Sequence, residues 1–506
     1  MALLFPLLFR KTRCYHRVRL VTDTAYRQQV RGVVRGLLRA ALLLVATTAI
    51  AEPMSDATTR RLAVEILHEL VEINTTESVG NVTRAAQAME ARFLAAGFAA
   101  GDMALVGADP RKKNLVVRLR GTGRVRPLLL LGHLDVVEAR REDWTMEPFK
   151  FIEKDGFYYG RGTSDMKDGD AIMVATLIRL KREGFRADRD IILALTADEE
   201  TGDANGVAWL LANRRDLIDA PYALNPDGTE VDTRGGKAVA VNVVVTEKTY
   251  ADFELAIKNP GGHSSERRPD NAIYELAGAL GRLQHYEFPF ELNAAVRAYY
   301  SELAAHETGA RAADIRGLLA VPPDPAAIAR LSASPDDYTE LHTLCVATRL
   351  DAGHANNALP QSAKAIVNCR ILPGHEPEEV RQDLIRALAE PKLIIRYIDE
   401  VGGLHDDATS KHGFATPTLP HDVIGAVRTV AARMWPGVPV IPAMSIGSTD
   451  AAIAAPFGLP VYQVSGEACE IGADRSHGQD ERIGVEAFAR GVDFYYRFLR
   501  VLLSGG

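Results

Sequence analysis

Leu62, Ile66, Leu70 and Ile73 recur at intervals of three and four, which gives residues 57–73 one apolar face and predicts an amphipathic helix. The period then switches. Leu115–Leu119 and Leu128–Leu131 are short apolar runs, Ala171–Arg182 predicts a second helix, and Ile191–Thr196 is a continuous apolar run suited to a strand covered on both faces. This alternation predicts an α/β fold with a central, mostly parallel sheet flanked by helices. Between about Tyr250 and Arg370 the character changes: a strand over Phe253–Lys258, a turn at Pro260, Gly261 and Gly262, long helical stretches, and a strand ending at Arg370. That stretch reads as an inserted second domain of α+β type, after which the α/β pattern resumes. Within it, the Pro- and Ala-rich residues 321–334 are expected to form a surface excursion.

The first fifty residues differ from the rest. They are rich in Arg and nearly free of acids, and they close on an apolar run from Ala40 to Ile50 with small residues at Ala49 and Ala51. Arg31, Arg35 and Arg39 supply the basic segment of a secretory signal, and the apolar run is too short to span a bilayer. Residues 1–51 are therefore expected to be a leader cleaved near Ala51, with translation starting downstream of Met1 near Val33. The protein would be exported, periplasmic or secreted; an uncleaved leader acting as a membrane anchor is the alternative. Of four cysteines, Cys14 falls in the leader, leaving Cys345, Cys369 and Cys469, an odd number with no CxxC spacing. No disulfide framework is expected, and Cys369, in the alternation AKAIVNCRIL, reads as a buried strand cysteine. With 506 residues, 47% hydrophobic, the chain can bury a sizeable core. A formal net charge of -7 argues against nucleic acid as a partner, because no basic excess is available to neutralise phosphates.

Residues suited to divalent metal fall at the carboxyl ends of predicted strands or in glycine-rich turns. His133 and Asp135 follow PLLLL, Glu199 and Glu200 follow IILALT, Asp227 follows YAL, Asp165 lies in GRGTSDMK and His477 in RSHGQDER. Open α/β sheets gather their ligand sites outside those strand ends, so residues remote in sequence can converge there. Two imidazoles and three carboxylates, His133, Asp165, Glu200, Asp227 and His477, are what two zinc ions sharing one carboxylate require. Asp165 is the candidate bridge, since a carboxylate can offer one oxygen to each ion. Asp135 is read as the partner that orients His133 through its other ring nitrogen. Neighbouring side chains diverge beyond a strand end, so Glu200 can bind metal while Glu199 faces substrate as general base. Three acids together at 198–200, closing a buried run, call for a cation.

The motifs GHLDVV, YGRGTSDMKDG, ADEETG, GGHSS with DNAI, NALPQSA with NCR, GSTDA and SHGQDE, in this order, resemble the di-zinc exopeptidase and deacylase family. That family includes glutamate carboxypeptidase, carboxypeptidase S, acetylornithine deacetylase, succinyl-diaminopimelate desuccinylase, aminoacylase and carnosinase. The resemblance covers nearly all of the chain after the leader. It implies a catalytic α/β domain over 52–247 and 373–506, and an inserted lid and dimerisation domain over 248–372. His133 and Asp227 would hold one zinc, Glu200 and His477 the other, with Asp165 between them and Glu199 as base; cobalt or manganese would suit the same donors. His263, in GGHSS, would reach across a homodimer to polarise the scissile carbonyl. Arg370 and Asn357 match positions that bind a substrate carboxylate, a task suited to the guanidinium fork, and Gly447, Thr449 and Asp450 match a loop near the substrate.

The implied activity is zinc-dependent hydrolysis of small peptides, of carboxypeptidase or dipeptidase type. An N-acyl-amino-acid deacylase with the same site is the alternative. A noncatalytic metal-dependent binding protein is disfavoured by Glu199, since binding needs no base. Aspartate rather than glutamate at 227 leans away from a plain carboxypeptidase, because in the family Asp there accompanies dipeptidases and aminopeptidases. Arg267 and Arg268, where relatives often carry proline, read as solvated surface.

Overall fold

The computed structural model of the chain describes residues 55–504, apart from 201–203, 229, 400–401, 415–417 and 419. The expected leader lies outside the described residues. Among these, no helix is long and apolar enough to cross a membrane.

Two sheets organise the chain. At the centre of a ten-stranded sheet, Ile191–Thr196, Leu128–His133, Ala223–Asn225 and Val461–Gln463 lie side by side and parallel. Asn114–Leu119 and Met103–Val106 extend one flank antiparallel, and Lys237–Glu247 carries the other flank, paired with both Val231–Arg234 and Val440–Ser445. The central strands read as unbroken apolar runs because both faces are covered. Leu128 and Leu130 pack with Ile66, Leu70, Ile172 and Phe488 from helices Asp56–Glu72, Lys167–Arg182 and Val485–Leu503. Leu129 and Leu131 point the other way, onto Val207 and Leu210 of helix Gly206–Asn213. The α/β architecture expected from the sequence is the one observed.

The second sheet is antiparallel throughout, in the order Leu344–Ala352, Ser362–Ile371, Thr249–Lys258, Ile394–Ile398 and Leu404–His405. Helices Ala272–Gln284 and Pro377–Leu388 cover one face, with Leu276, Ala279, Leu283, Val380 and Leu384 in a core of its own. This sheet does not stop at 372, where the sequence predicts the insert to end. Ile394–Ile398 pairs with Thr249–Lys258, so about thirty further residues belong to it, a pairing that apolar periodicity could not reveal.

Two further expectations are corrected. Residues 321–334 do not form a mere surface excursion: they include helix Pro325–Leu331, one of four helices between Ala294 and Leu341 that share a core of Tyr300, Ile315, Leu318, Leu331 and Leu341. Leu372 and Met444 join that core, so it fastens the helices to both sheets. Cys345 and Cys369 are joined in a disulfide, with Cα atoms 4.1 Å apart, because they stand opposite each other on paired antiparallel strands. Only the register brings them together, and spacing along the chain carries no sign of it. Cys469 stays free.

Candidate active site

His133 ends its strand opposite Thr196, so the residues that follow both strands emerge on the same edge of the sheet. Close approach is required there: a Cβ on Gly132 would come within 2.4 Å of an oxygen of Asp170 in the helix beneath. The imidazole is 1% exposed. Its Nδ1 lies 3.1 Å from the backbone oxygen of Asp135, while the Asp135 carboxylate stands 3.7 Å away, beyond hydrogen-bond reach. Asp135 thus orients His133 through its main chain rather than, as expected, its side chain. Its carboxylate instead accepts the backbone N–H groups of Glu199 (3.2 Å) and Glu200 (3.0 Å), which fixes the loop after the neighbouring strand. Burial pushes the Asp135 carboxyl up to about 6.

Asp165 lies just before helix Lys167–Arg182 and stands between two imidazoles. Its Oδ1 is 3.3 Å from His133 Nε2 and its Oδ2 is 2.9 Å from His477 Nε2. His477 also meets Glu200 at 3.0 Å, and Glu199 Oε2 is 4.0 Å from His133 Nε2. Three sets of ligand atoms converge to within 4.8 Å of one another: His133, Asp165 and Asp227; Asp165, Glu200 and His477; and His133, Glu199 and Glu200. The first two sets share Asp165.

The electrostatics follow from packing acids together. Burial drives the carboxyls of Glu199 and Asp227 well above the ordinary range; neighbouring acids add to this, and the His133 charge opposes it. Burial would raise Asp165 too, but hydrogen bonds from His133 and His477 outweigh it and hold its carboxyl low. Bonds to Asp165 and Glu200 raise His477 to about 10. Such a cluster of carboxylates around two imidazoles fits two divalent cations, and the nitrogen and oxygen donors suit zinc, cobalt or manganese.

The residues expected to touch substrate fall in two other places. Gly262–His263 pairs with Ala358–Leu359 in a two-stranded ribbon, which brings His263 beside Asn357; both are exposed, and the His263 Nδ1 lies 2.7 Å from Ser265 Oγ. None of the three convergent ligand sets includes His263. Arg370 instead reaches the loop after Val440–Ser445 that carries Gly447: it donates to the Ile446 oxygen at 3.3 Å, and its guanidinium lies over the Tyr250 ring. Thr449 is committed locally. Its hydroxyl donates to Glu247 at 2.6 Å and caps helix Asp450–Ala454. Asp450, buried, accepts from Asn205 at 2.8 Å.

Several supporting residues escaped the sequence reading. Arg161 and Glu481 form a buried ion pair at 2.6 Å, and Glu481 also accepts the N–H groups of Gly162 and Ser164. Arg161 bonds the backbone oxygens of His477 and Gly478, so this pair binds the Asp165 loop to the His477 loop. A signal is present in the sequence, since Arg161 lies within GRGTSD and Glu481 within SHGQDE, beside the candidate ligands Asp165 and His477. Lys167 reaches back to the backbone oxygens of Leu70 and Ile73 at the end of helix Asp56–Glu72, and burial lowers it to about 7. Asp198 pairs with Lys112 at 2.8 Å, so one of the three clustered acids finds its cation in the chain itself.

Residues 129–501 match the profile of the peptidase family M20/M25/M40. Among curated proteins, the chain is 26% identical over 382 residues to an N-fatty-acyl-amino acid synthase/hydrolase of Xenopus tropicalis, covering 74% of this chain and 72% of that protein. It is 27% identical over 417 residues to a probable carboxypeptidase S-like protein of Dictyostelium discoideum, covering 76% and 74%. Among solved structures, an M20 family metallo-carboxypeptidase from Sulfolobus solfataricus superposes with a TM-score of 0.63 at 15% identity, covering 87% of this chain and 99% of that one. That likeness concerns the fold.

Proposed function

Since the chain belongs to the peptidase family M20/M25/M40, we propose that it is a metal-dependent hydrolase of small peptides, of carboxypeptidase or dipeptidase type, acting on substrates with a free carboxylate. The observation that carries this reading is Asp165, whose two oxygens face two different imidazoles while further carboxylates close each side. His133 and Asp227 would hold one ion, Glu200 and His477 the other, and Asp165 both, with zinc the proposed cation and cobalt or manganese compatible with the same donors. When bound, such a pair of ions acidifies water and polarises a carbonyl.

The chain's own residues do the rest. Glu199, close to His133 and in none of the proposed ligand roles, takes the proton of the attacking water and delivers it to the leaving amine nitrogen. Asp135 keeps Glu199 in place by holding the main chain of residues 199 and 200. His263 donates to the carbonyl oxygen as negative charge develops there. Its exposure on the ribbon suits a partner subunit's active site, so a homodimer formed through the inserted domain is part of the proposal. Arg370 and Asn357 hold the substrate carboxylate, and Gly447 and Thr449 shape the loop beside it. Export is likewise proposed: the leader pattern and the Cys345–Cys369 bridge both fit an oxidising compartment.

A second reading, hydrolysis of N-acyl amino acids, is favoured by the N-fatty-acyl-amino acid synthase/hydrolase relatives. The zinc-loaded chain assayed against dipeptides, longer C-terminally free peptides and N-acyl amino acids, with and without chelator, decides between them. Hydrolysis of none of the three classes overturns the proposal.

A further inference from the structure

We propose that the four helices between Ala294 and Leu341 are a strap that holds the two sheets at one fixed angle. Arg370 on the second sheet then keeps its separation from the Asp165 cluster on the first, whether or not a ligand is present. The inference does not depend on which bond the site cleaves.

Without these helices the sheets would meet at a hinge. The chain passes from the first sheet to the second through Lys248 alone, between strands Lys237–Glu247 and Thr249–Lys258, and it returns past Gly413 and Phe414. These passages run side by side: the Phe414 N–H donates to Thr249 Oγ1 at 3.0 Å. Two adjacent lengths of chain can absorb a rotation by changing a few backbone angles.

The helices add a third link of a different kind. They leave the second sheet after helix Ala272–Gln284, pack on the first, and rejoin the second at Leu344. On the first sheet, Met444 of strand Val440–Ser445 joins the core that holds Val296, Tyr300 and Leu341, and Arg428 of helix His421–Met434 pairs with Glu302.

No slack remains where the helices rejoin the second sheet. Only His342 and Thr343 separate Leu341 in the helical core from Leu344, and both are tied down near the hinge. Lys248, which has no exposed surface, donates to the His342 oxygen at 2.7 Å, and Thr343 Oγ1 accepts the Leu372 N–H at 3.1 Å. On the outgoing arm, Glu291 pairs with His375 at 2.6 Å. Leu372 and His375 flank Gly374, whose N–H donates to the Phe414 oxygen at 2.8 Å, so the arms are fastened to the return passage as well. Rotation about Lys248 would strip a buried ammonium of its acceptor and return the apolar contact at Met444 to water, and both changes are unfavourable.

Pulsed electron resonance distances test this on the full chain. Spin labels go on Gln87→Cys in helix Val82–Ala95 and Arg386→Cys in helix Pro377–Leu388, with Cys14→Ser and Cys469→Ser, and the labelled protein is diluted in unlabelled protein. The distance distribution should have one peak, which should move by no more than about 2 Å on adding zinc, or zinc with a phosphinic dipeptide analogue. Met444→Asp, which puts a charge into the contact with the first sheet, should broaden the peak. Lys248→Met, which keeps the stem and removes the donor, should broaden it less. A two-peaked distribution, a larger shift with either addition, or a folded variant of either kind as narrow as the protein with Met444 and Lys248 intact overturns the strap. Should the analogue not bind, the hydrolase reading is what suffers, and the zinc-free, zinc-loaded and variant distributions still decide the strap.

Discussion

The cluster around Asp165 and the ribbon that carries His263 are built in opposite ways. In the cluster each side chain is held by another: Asp135 holds the backbone of Glu199 and Glu200, and Arg161 and Glu481 pin the Asp165 loop to the His477 loop. On the ribbon, His263 and Asn357 stand exposed, and the histidine ring turns to Ser265 on its own loop. The cluster is assembled by one chain, while the ribbon offers its groups outward. Rigid preorganisation suits groups that must repel and still stay together, and an exposed ribbon suits a group that acts on something arriving from outside.

The sharpest way to break this comparison is to remove the base. Glu199→Ala is expected to lower turnover by about 10² to 10⁴-fold while metal content, read by elemental analysis, is retained. His133→Ala should lose metal as well. Unchanged activity in Glu199→Ala would falsify its assigned role.

Next in size is the pin between the two loops. Glu481→Ala leaves the Arg161 guanidinium buried without its partner, and breaking a buried pair in this way costs about 3–5 kcal/mol. Denaturant unfolding measures it, and a loss under about 1 kcal/mol would show that the pin is not structural.

His263→Ala should cut kcat by about 10² to 10³-fold without moving metal content or unfolding midpoint, because the ribbon is not part of the cluster. Mixing the His263→Ala and Glu199→Ala proteins then sharpens the contrast. If His263 serves a partner's site, the mixture recovers activity that neither variant has alone; no recovery places His263 in its own chain's site.

The smallest effect belongs to the strand pair behind Arg370. Opening the bridge with Cys345→Ser and Cys369→Ser together should cost about 3 kcal/mol of stability, measured against the oxidised protein. Metal content should stay the same, since the bridge lies in the second sheet and the cluster on the first.

Legibility in the sequence divides along the same line. The central strands announced themselves because both their faces are buried, which leaves uninterrupted runs such as Leu128–Leu131 and Ile191–Thr196. The acids and histidines just beyond them could be placed on one edge because parallel strands end together. Arg161 and Glu481 lie inside recognisable motifs, but an arginine and a glutamate 320 residues apart give no sign in the sequence that they pair. The sequence points to Asp135 as the neighbour of His133 but not to the atom that meets it: whether carbonyl or carboxylate faces the imidazole depends on how the chain curls after the strand.

The sequence by itself determined the α/β class, the central strands Leu128–Leu131 and Ile191–Thr196, and the candidate ligands beyond strand ends and in glycine-rich turns, because periodicity and motif position are local properties. Tertiary structure alone decided that the second sheet runs on to Ile398, that Cys345 faces Cys369, and that the helices between 294 and 341 form a core with Leu372 and Met444. Each of these is a matter of register or packing between segments distant in the chain, and such contacts are chosen by the total fit of buried surfaces, which no single stretch of residues encodes.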